Sequence, residues 1–279
     1  MAHIFGYCNV SVMPLRSEPA HRAEQVSQLL FGEKAEILEI NTKEWARIKC
    51  GHDGYEGWCK QGQLTEITRR DYRRPTRHLS YSHKGRLLFE NSEMALPLGC
   101  DLPKLTKGAL RLSGEDVKFK GKKASHLKLE LTAEKLIAAA KEYLHAPYHW
   151  GGRSLAGLDC SGLTQMAFKL CGYPLPRDAS QQAGKGTLVD FLQHAEPGDL
   201  AFFDNKDGLI VHVGILLGKE TIIHATDTAG HVVIDRIDQG GIVSISQKRR
   251  THNLRFVKRI INSGIDEVPE GMAKQLPLI

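Results

Sequence analysis

Short apolar stretches separated by turn residues fill the first quarter of the chain. Cys8-Asn9-Val10-Ser11-Val12, Ala35-Glu36-Ile37-Leu38-Glu39-Ile40, Trp45-Ala46-Arg47-Ile48 and Gly54-Tyr55-Glu56-Gly57-Trp58 alternate apolar and polar positions over a few residues each. That period predicts brief, half-buried strands of a small β-barrel over residues 4–67. Residues 68–130 carry the same texture more weakly, with Arg111-Leu112-Ser113-Gly114 and Lys118-Phe119-Lys120-Gly121-Lys122 marking turns. The period then lengthens. Thr132 suits an N-cap and Glu134 a first helical turn, while Leu136, Ile137, Ala140, Tyr143 and Leu144 recur at helical spacing until Pro147 ends the run. A second helix is expected over 161–170, stopped by Gly172. Strands are expected near 199–203, 211–217, 221–225, 231–234 and 254–260, an antiparallel sheet against which that helix packs. The last unit is therefore read as α+β. Beyond Asn262 the sequence is polar with Pro269 and Pro277, which predicts a surface tail over 263–279.

Composition narrows the class. A chain of 279 residues, 41% hydrophobic and 25% charged, is long enough for more than one core. Its apolar runs fall short of membrane-spanning length, and Met1-Ala2-His3-Ile4-Phe5-Gly6-Tyr7-Cys8 reads as neither a basic leader nor an apolar one, so a cytoplasmic protein without membrane contact is expected. The six cysteines are irregularly spaced, which favours reduced thiols over a disulfide framework. The net charge of +6 is modest, and its local clusters, Arg69-Arg70, Arg73-Arg74 and Lys248-Arg249-Arg250, read as solvated faces. Lacking aromatic interleaving, they predict no nucleic-acid partner. Cys-x-x-Cys and His-Glu-x-x-His spacings are missing, so no metal ligands are expected.

Candidate chemistry centres on Asp159-Cys160-Ser161-Gly162. A thiol at the start of a helix lies against unsatisfied N–H groups and the positive end of the macrodipole, which favour thiolate. Two histidines follow in strand-like contexts, His212 in Val211-His212-Val213-Gly214 and His224 in Ile223-His224-Ala225. The order matches the logic of nucleophile, base and orienting group, with His224 fixing the tautomer of His212. Taken singly, each of these residues is more often packing than chemistry. Their conjunction in one segment favours catalysis.

Pro147-Tyr148-His149-Trp150-Gly151-Gly152, Asp159-Cys160-Ser161-Gly162, Pro197-Gly198-Asp199-Leu200 and His212-Val213-Gly214-Ile215 stand in the order found in the NlpC/p60 family. On these motifs residues 131–262 resemble that family's papain-like catalytic domain. Leu15-Arg16-Ser17-Glu18-Pro19, Gly32-Glu33 and Gly57-Trp58 resemble bacterial SH3 domains over 1–67, and 68–130 is read as a second, degenerate barrel of that kind. The resemblance implies a cysteine peptidase that cuts the γ-D-glutamyl bond to a diamino acid in murein peptides, with Cys160, His212 and His224 as its triad and no cofactor. The domain order resembles peptidases of muropeptide recycling, which require a free N-terminal L-alanine and release L-Ala-D-Glu. Asp178 then falls at the amine-binding position, while Glu24 and Tyr55 match barrel positions that line the site in that subgroup. Each has a plainer alternative: Asp178 a helix cap, Glu24 a solvated charge, Tyr55 barrel core. Tyr148 and Ser161 are expected to orient substrate, and N–H groups around Cys160 to hold the oxyanion. Ala179 departs from the pattern where a hydroxyl would serve the amine, leaving Ser180 nearby. The expected partner is the murein peptide alone, bound by a monomer. Two alternatives stay open, a catalytically silent wall-peptide binder and an amidase or acyltransferase on the same cysteine scaffold.

Overall fold

A computed structural model describes residues 3–112 and 114–261, so the expected tail over 263–279 lies outside the described residues. By internal contacts the chain divides into two units. One holds the described residues of Met1–Leu129 together with Trp150–Leu155, the other those of Glu130–His149 and Ala156–Ile279.

In the first unit, β1 (Ile4–Cys8), β2 (Val12–Arg16), β3 (Gln25–Leu30), β4 (Lys34–Ile40), β5 (Trp45–Cys50), β6 (Glu56–Lys60) and β7 (Leu64–Ile67) form one antiparallel sheet in the order β3-β2-β6-β5-β4-β1-β7. Alternate residues pack inward around Met13, Leu15, Leu29, Ile37, Ile48 and Cys59. The apolar run expected as a single strand over 8–12 is instead a corner between β1 and β2. Asn9 turns the chain there, its amide donating to Gly62 O and Thr65 Oγ1. Strand β3 escaped the pattern because Ser27 and Gln28 are buried along with Leu29 and Leu30, so polar and apolar positions do not alternate with burial.

A short helix, α1 (Arg69–Arg73), capped by Thr68, leads to β8 (His78–Ser80), β9 (Gly85–Leu88), β10 (Glu93–Leu96), β11 (Ala109–Leu112), β12 (Glu115–Lys120) and β13 (Lys123–Ser125). Four of these form an antiparallel sheet in the order β10-β9-β12-β11, and β13 pairs with β8. The segment 118–120, read as a turn, belongs to β12: Phe119 pairs with Leu87, and the reversal comes at Gly121. The two-residue strand β14 (Arg153–Ser154) also belongs to this unit. Arg153 is fully buried there, donating to both carboxylate oxygens of Glu33 at 2.7 and 3.0 Å and to the backbone oxygen of Gln28 at 2.6 Å.

The second unit opens with α2 (Ala133–Lys141), whose first turn is capped by the Thr132 hydroxyl. After β15 (Gly157–Leu158) come α3 (Cys160–Leu170) and the single-turn α4 (Ala179–Gln182). Every residue of α3 except Lys169 is buried, and Gly172, at φ +82°, ends it. The sheet consists of β16 (Thr187–Val189), β17 (Leu200–Asp204), β18 (Ile210–Leu216), β19 (Thr221–Thr226), β20 (His231–Asp238), β21 (Gly241–Ser244) and β22 (Arg249–Arg259), in the order β16-β22-β17-β18-β19-β20-β21. Strand β22 also pairs with β21, so the sheet closes on itself. The α+β reading holds for this unit. Closure was not foreseen, because the polar start of β22, Arg249-Arg250-Thr251-His252-Asn253, hides half of an eleven-residue strand.

Candidate active site

The nucleophile position is built from the N-terminus of α3. Asp159 occupies the N-cap and accepts from Gly162 N at 2.7 Å, which fixes the first turn and sets Cys160 at its start. Arg177 locks this cap from beneath. Its guanidinium donates to both Asp159 oxygens at 3.0 and 2.6 Å and to Ser161 Oγ at 2.8 Å, all buried. Gln182 of α4 ties the second helix to the first, donating to Ser161 O and accepting from the Thr164 hydroxyl. Cys160 as a whole is only 6% exposed. Burial pushes the thiol up to about 12 and the Asp159 carboxylate pushes the same way, while hydrogen bonds from the backbone of Val213 and Ser161 and the charge of Arg177 pull back. The expected thiolate is thus corrected: the resting sulfur is protonated, because desolvation outweighs the helix terminus.

Val213 follows His212 on β18, and α3 packs on that strand, so the sulfur meets the sheet where the first histidine emerges. His212 Nε2 lies 2.9 Å from His224 Nδ1, and the rings are nearly perpendicular. His224 Nε2 in turn lies 3.3 Å from Asp235 Oδ2 on β20. A fourth strand supplies His252, whose ring stacks on that of His212 with centroids 4.0 Å apart and planes 22° apart. Burial and the neighbouring His252 and His224 hold His212 well below its ordinary value, and burial together with His224 brings His252 down to about 4. The His212 and His252 rings are therefore both neutral near pH 7. Gly214 lets β19 come this close to β18, since a Cβ there would sit 2.7 Å from Ile222 Cδ1 and 3.0 Å from His224 Cβ.

The structure therefore joins His212 to His224 as the sequence suggested and adds Asp235, His252 and Arg177, which the sequence reading missed. Asp235 carried a signal: it shares the parity of inward-facing Ile237 on β20, where a carboxylate is out of place without a partner. His252 and Arg177 carried none, lying among exposed arginines and beside a proline.

Other predicted residues fall as follows. Tyr148 is half-buried, and burial followed by the nearby Cys160 and Asp159 raises its hydroxyl well above the usual range, so it stays a donor. The Ser161 hydroxyl is bonded to Arg177 and Asp159. Asp178 caps α4 through a reciprocal capping box with Gln181, and exposed Ser180 sits in the same turn, which packs against β18. In the first unit, exposed Glu24 accepts from Trp150 Nε1 at 2.5 Å, and Tyr55 packs partly buried against the barrel core.

Histidines 212, 224 and 252 bring ring nitrogens within 4.8 Å of one another, so three residues that looked scattered in sequence form a cluster. It is poorly arranged for an ion. The His212 and His252 rings stack face to face, and hydrogen-bond contacts already engage His212 Nε2 and both ring nitrogens of His224.

Known proteins bear on the same residues. The NlpC/P60 family model matches residues 145–251, and one described as the bacterial dipeptidyl-peptidase Sh3 domain matches 15–64. A γ-D-glutamyl-L-lysine dipeptidyl-peptidase of Bacillus subtilis is 32% identical over 75% of this chain and 74% of its own. Dipeptidyl-peptidase 6 of Lysinibacillus sphaericus is 25% identical over 81% of this chain and 89% of its own. The crystal structure of an NlpC/P60 family protein from Bacillus cereus shares the fold, with a TM-score of 0.79 at 20% identity, covering 92% of this chain and 99% of that one. Fold, matches and site together define a cysteine peptidase. The chain belongs to the NlpC/P60 family and carries a bacterial SH3 domain before its catalytic unit.

Proposed function

We propose that this peptidase hydrolyses the γ-D-glutamyl bond to a diamino acid in murein peptides that carry a free N-terminal L-alanine, releasing L-Ala-D-Glu. One observation carries the reading. A relative named for γ-D-glutamyl-L-lysine dipeptidyl-peptidase activity aligns over three quarters of both chains, and the site contains the thiol and imidazole chain that acyl transfer requires.

In the resting site the thiol and His212 are both neutral. His212 Nε2 is engaged by His224, which leaves Nδ1 as the proton acceptor. As sulfur bonds to the γ-carbonyl carbon, its proton passes to that nitrogen, and the carbonyl oxygen takes up the negative charge. Donors for that oxygen are N–H groups at the start of α3 and the Tyr148 hydroxyl. The C–N bond then breaks, the diamino acid amine leaves with the proton from His212, and a thioester remains. Water, deprotonated by the same imidazole, attacks the thioester, releasing L-Ala-D-Glu and restoring the thiol. Asp178, at the mouth of α4 with Ser180 beside it, is the proposed acceptor for the substrate ammonium. The β-rich segment over 68–130, with its four-stranded antiparallel sheet, supports reading it as a degenerate second SH3-like barrel.

Product analysis by mass spectrometry tests this reading. With L-Ala-γ-D-Glu-L-Lys, and with its meso-diaminopimelate counterpart, the expected product is L-Ala-D-Glu, and Cys160→Ala is expected to release none. Acetylating the alanine nitrogen removes a buried charged contact, a loss on the order of 2–4 kcal/mol, or about 30-fold to 1,000-fold in kcat/KM. Equal rates on free and blocked peptides would identify an endopeptidase instead.

A further inference from the structure

The imidazole chain does not end at His224. Beyond it, Asp235 is buried on β20, with Oδ2 facing His224 Nε2 at 3.3 Å and Oδ1 accepting from Ile245 N at 2.8 Å. Burial pushes this carboxyl up, but the bonds from His224 and from Ile245 N–H outweigh it and hold the group below its ordinary value. It is therefore ionised and can only accept hydrogen bonds.

From this geometry we infer that Asp235 is a positioning residue, whose carboxylate sets the tautomers of both histidines and so delivers the basic nitrogen of His212 to the sulfur. This rests on the assignment of His212 as the base. The derivation runs atom by atom. An acceptor-only carboxylate at His224 Nε2 requires a proton on that nitrogen. With the His224 proton placed on Nε2, its Nδ1 is the accepting nitrogen of the bond to His212, so that bond is donated by His212 Nε2. A neutral His212 protonated at Nε2 has its lone pair on Nδ1. One charge thus dictates, through two rings on two strands, where the catalytic lone pair lies. The rings are faced by one another, by Asp235 and by the neutral His252, whose Nδ1 lies beside the Thr251 hydroxyl; Asp227 is the other carboxylate that acts on His252.

Asp235→Asn gives the sharpest test, because Ile245 N–H still demands an acceptor. The single amide oxygen meets that demand, and the amide nitrogen then faces His224 Nε2 as a donor. Each tautomer inverts in sequence: His224 becomes protonated at Nδ1, His212 accepts at Nε2, and His212 Nδ1 carries a proton where its lone pair should be. The shape of the side chain is unchanged, so the fold is retained.

Nitrogen-15 NMR of the imidazoles in the full chain is expected to show Nε2–H tautomers for His212 and His224 in the wild type and Nδ1–H tautomers in Asp235→Asn. In the variant kcat falls on the order of a thousandfold with KM little changed, the pattern expected when an orienting carboxylate is neutralised. Alkylation of Cys160 by iodoacetamide at pH 7 slows in parallel. A wild-type His212 protonated at Nδ1 overturns the inference, whatever the variant does. So does a variant that keeps the wild-type tautomers and turnover. NMR and alkylation need no substrate, so inactivity on murein peptides would defeat the proposed function while leaving the tautomer result standing.

Discussion

At the scale of single residues, two influences compete for the proton on Cys160. The helix terminus and backbone donors favour sulfur anion, and a nearly closed environment disfavours it; with the group 6% exposed and its thiol at about 12, the environment prevails. Sequence showed the helix start but not the depth of burial, which depends on how α3 is enclosed. The same enclosure makes a prediction about stability. His212 is held well below 6.5 and His252 near 4 when folded, whereas both return to about 6.5 when unfolded. Below pH 6.5 the unfolded chain therefore binds more protons than the folded one. The stabilisation is complete above about pH 6.5 and is lost as pH falls toward 4. Thermal melting across that window should show a steadily falling midpoint, and His252→Phe, which keeps a ring on His212, should flatten part of the decline. A midpoint independent of pH over the window would contradict the assignment.

At the scale of elements, two glycines explain how four strands bring their side chains to one place. Gly214 admits β19 beside β18, and Gly241, at φ +127°, admits β21 beside β22 where a Cβ would lie 1.9 Å from His252 O. Gly241→Ala must both strain its own backbone and displace the strand that carries His252. We expect a loss of about 2–4 kcal/mol in denaturant unfolding, with turnover reduced as the His212 ring loses its stacked neighbour. Loss of less than about 0.5 kcal/mol would show that β21 yields without disturbing β22. Helices α2 and α3 and the strands carrying His212 and His224 were legible because their apolar period is clean. Strands β3 and β22 were not: β3 buries the polar Ser27 and Gln28 beside its leucines, and β22 opens on a run of exposed and half-buried polar side chains.

At the scale of the molecule, local pattern gave little warning that residues 150–155, flanked on both sides by catalytic motifs, belong to the first unit. The reason lies in Arg153 and Glu33, a fully buried bidentate pair distant in sequence. Glu33→Gln leaves the guanidinium buried without its counter-charge and is expected to cost about 3–5 kcal/mol, while the double replacement Glu33→Leu with Arg153→Met costs much less. Equilibrium denaturation of the two variants checks this, and equal losses in the single and the double variant would refute it. The closed sheet of the second unit bears on biosynthesis. Its last strand, β22, is needed to complete the ring and to bring His252 onto His212, although the thiol is made long before it. A chain still being translated would expose Cys160 without its assembled base, so peptidase activity should switch on only after β22 has left the ribosome and docked.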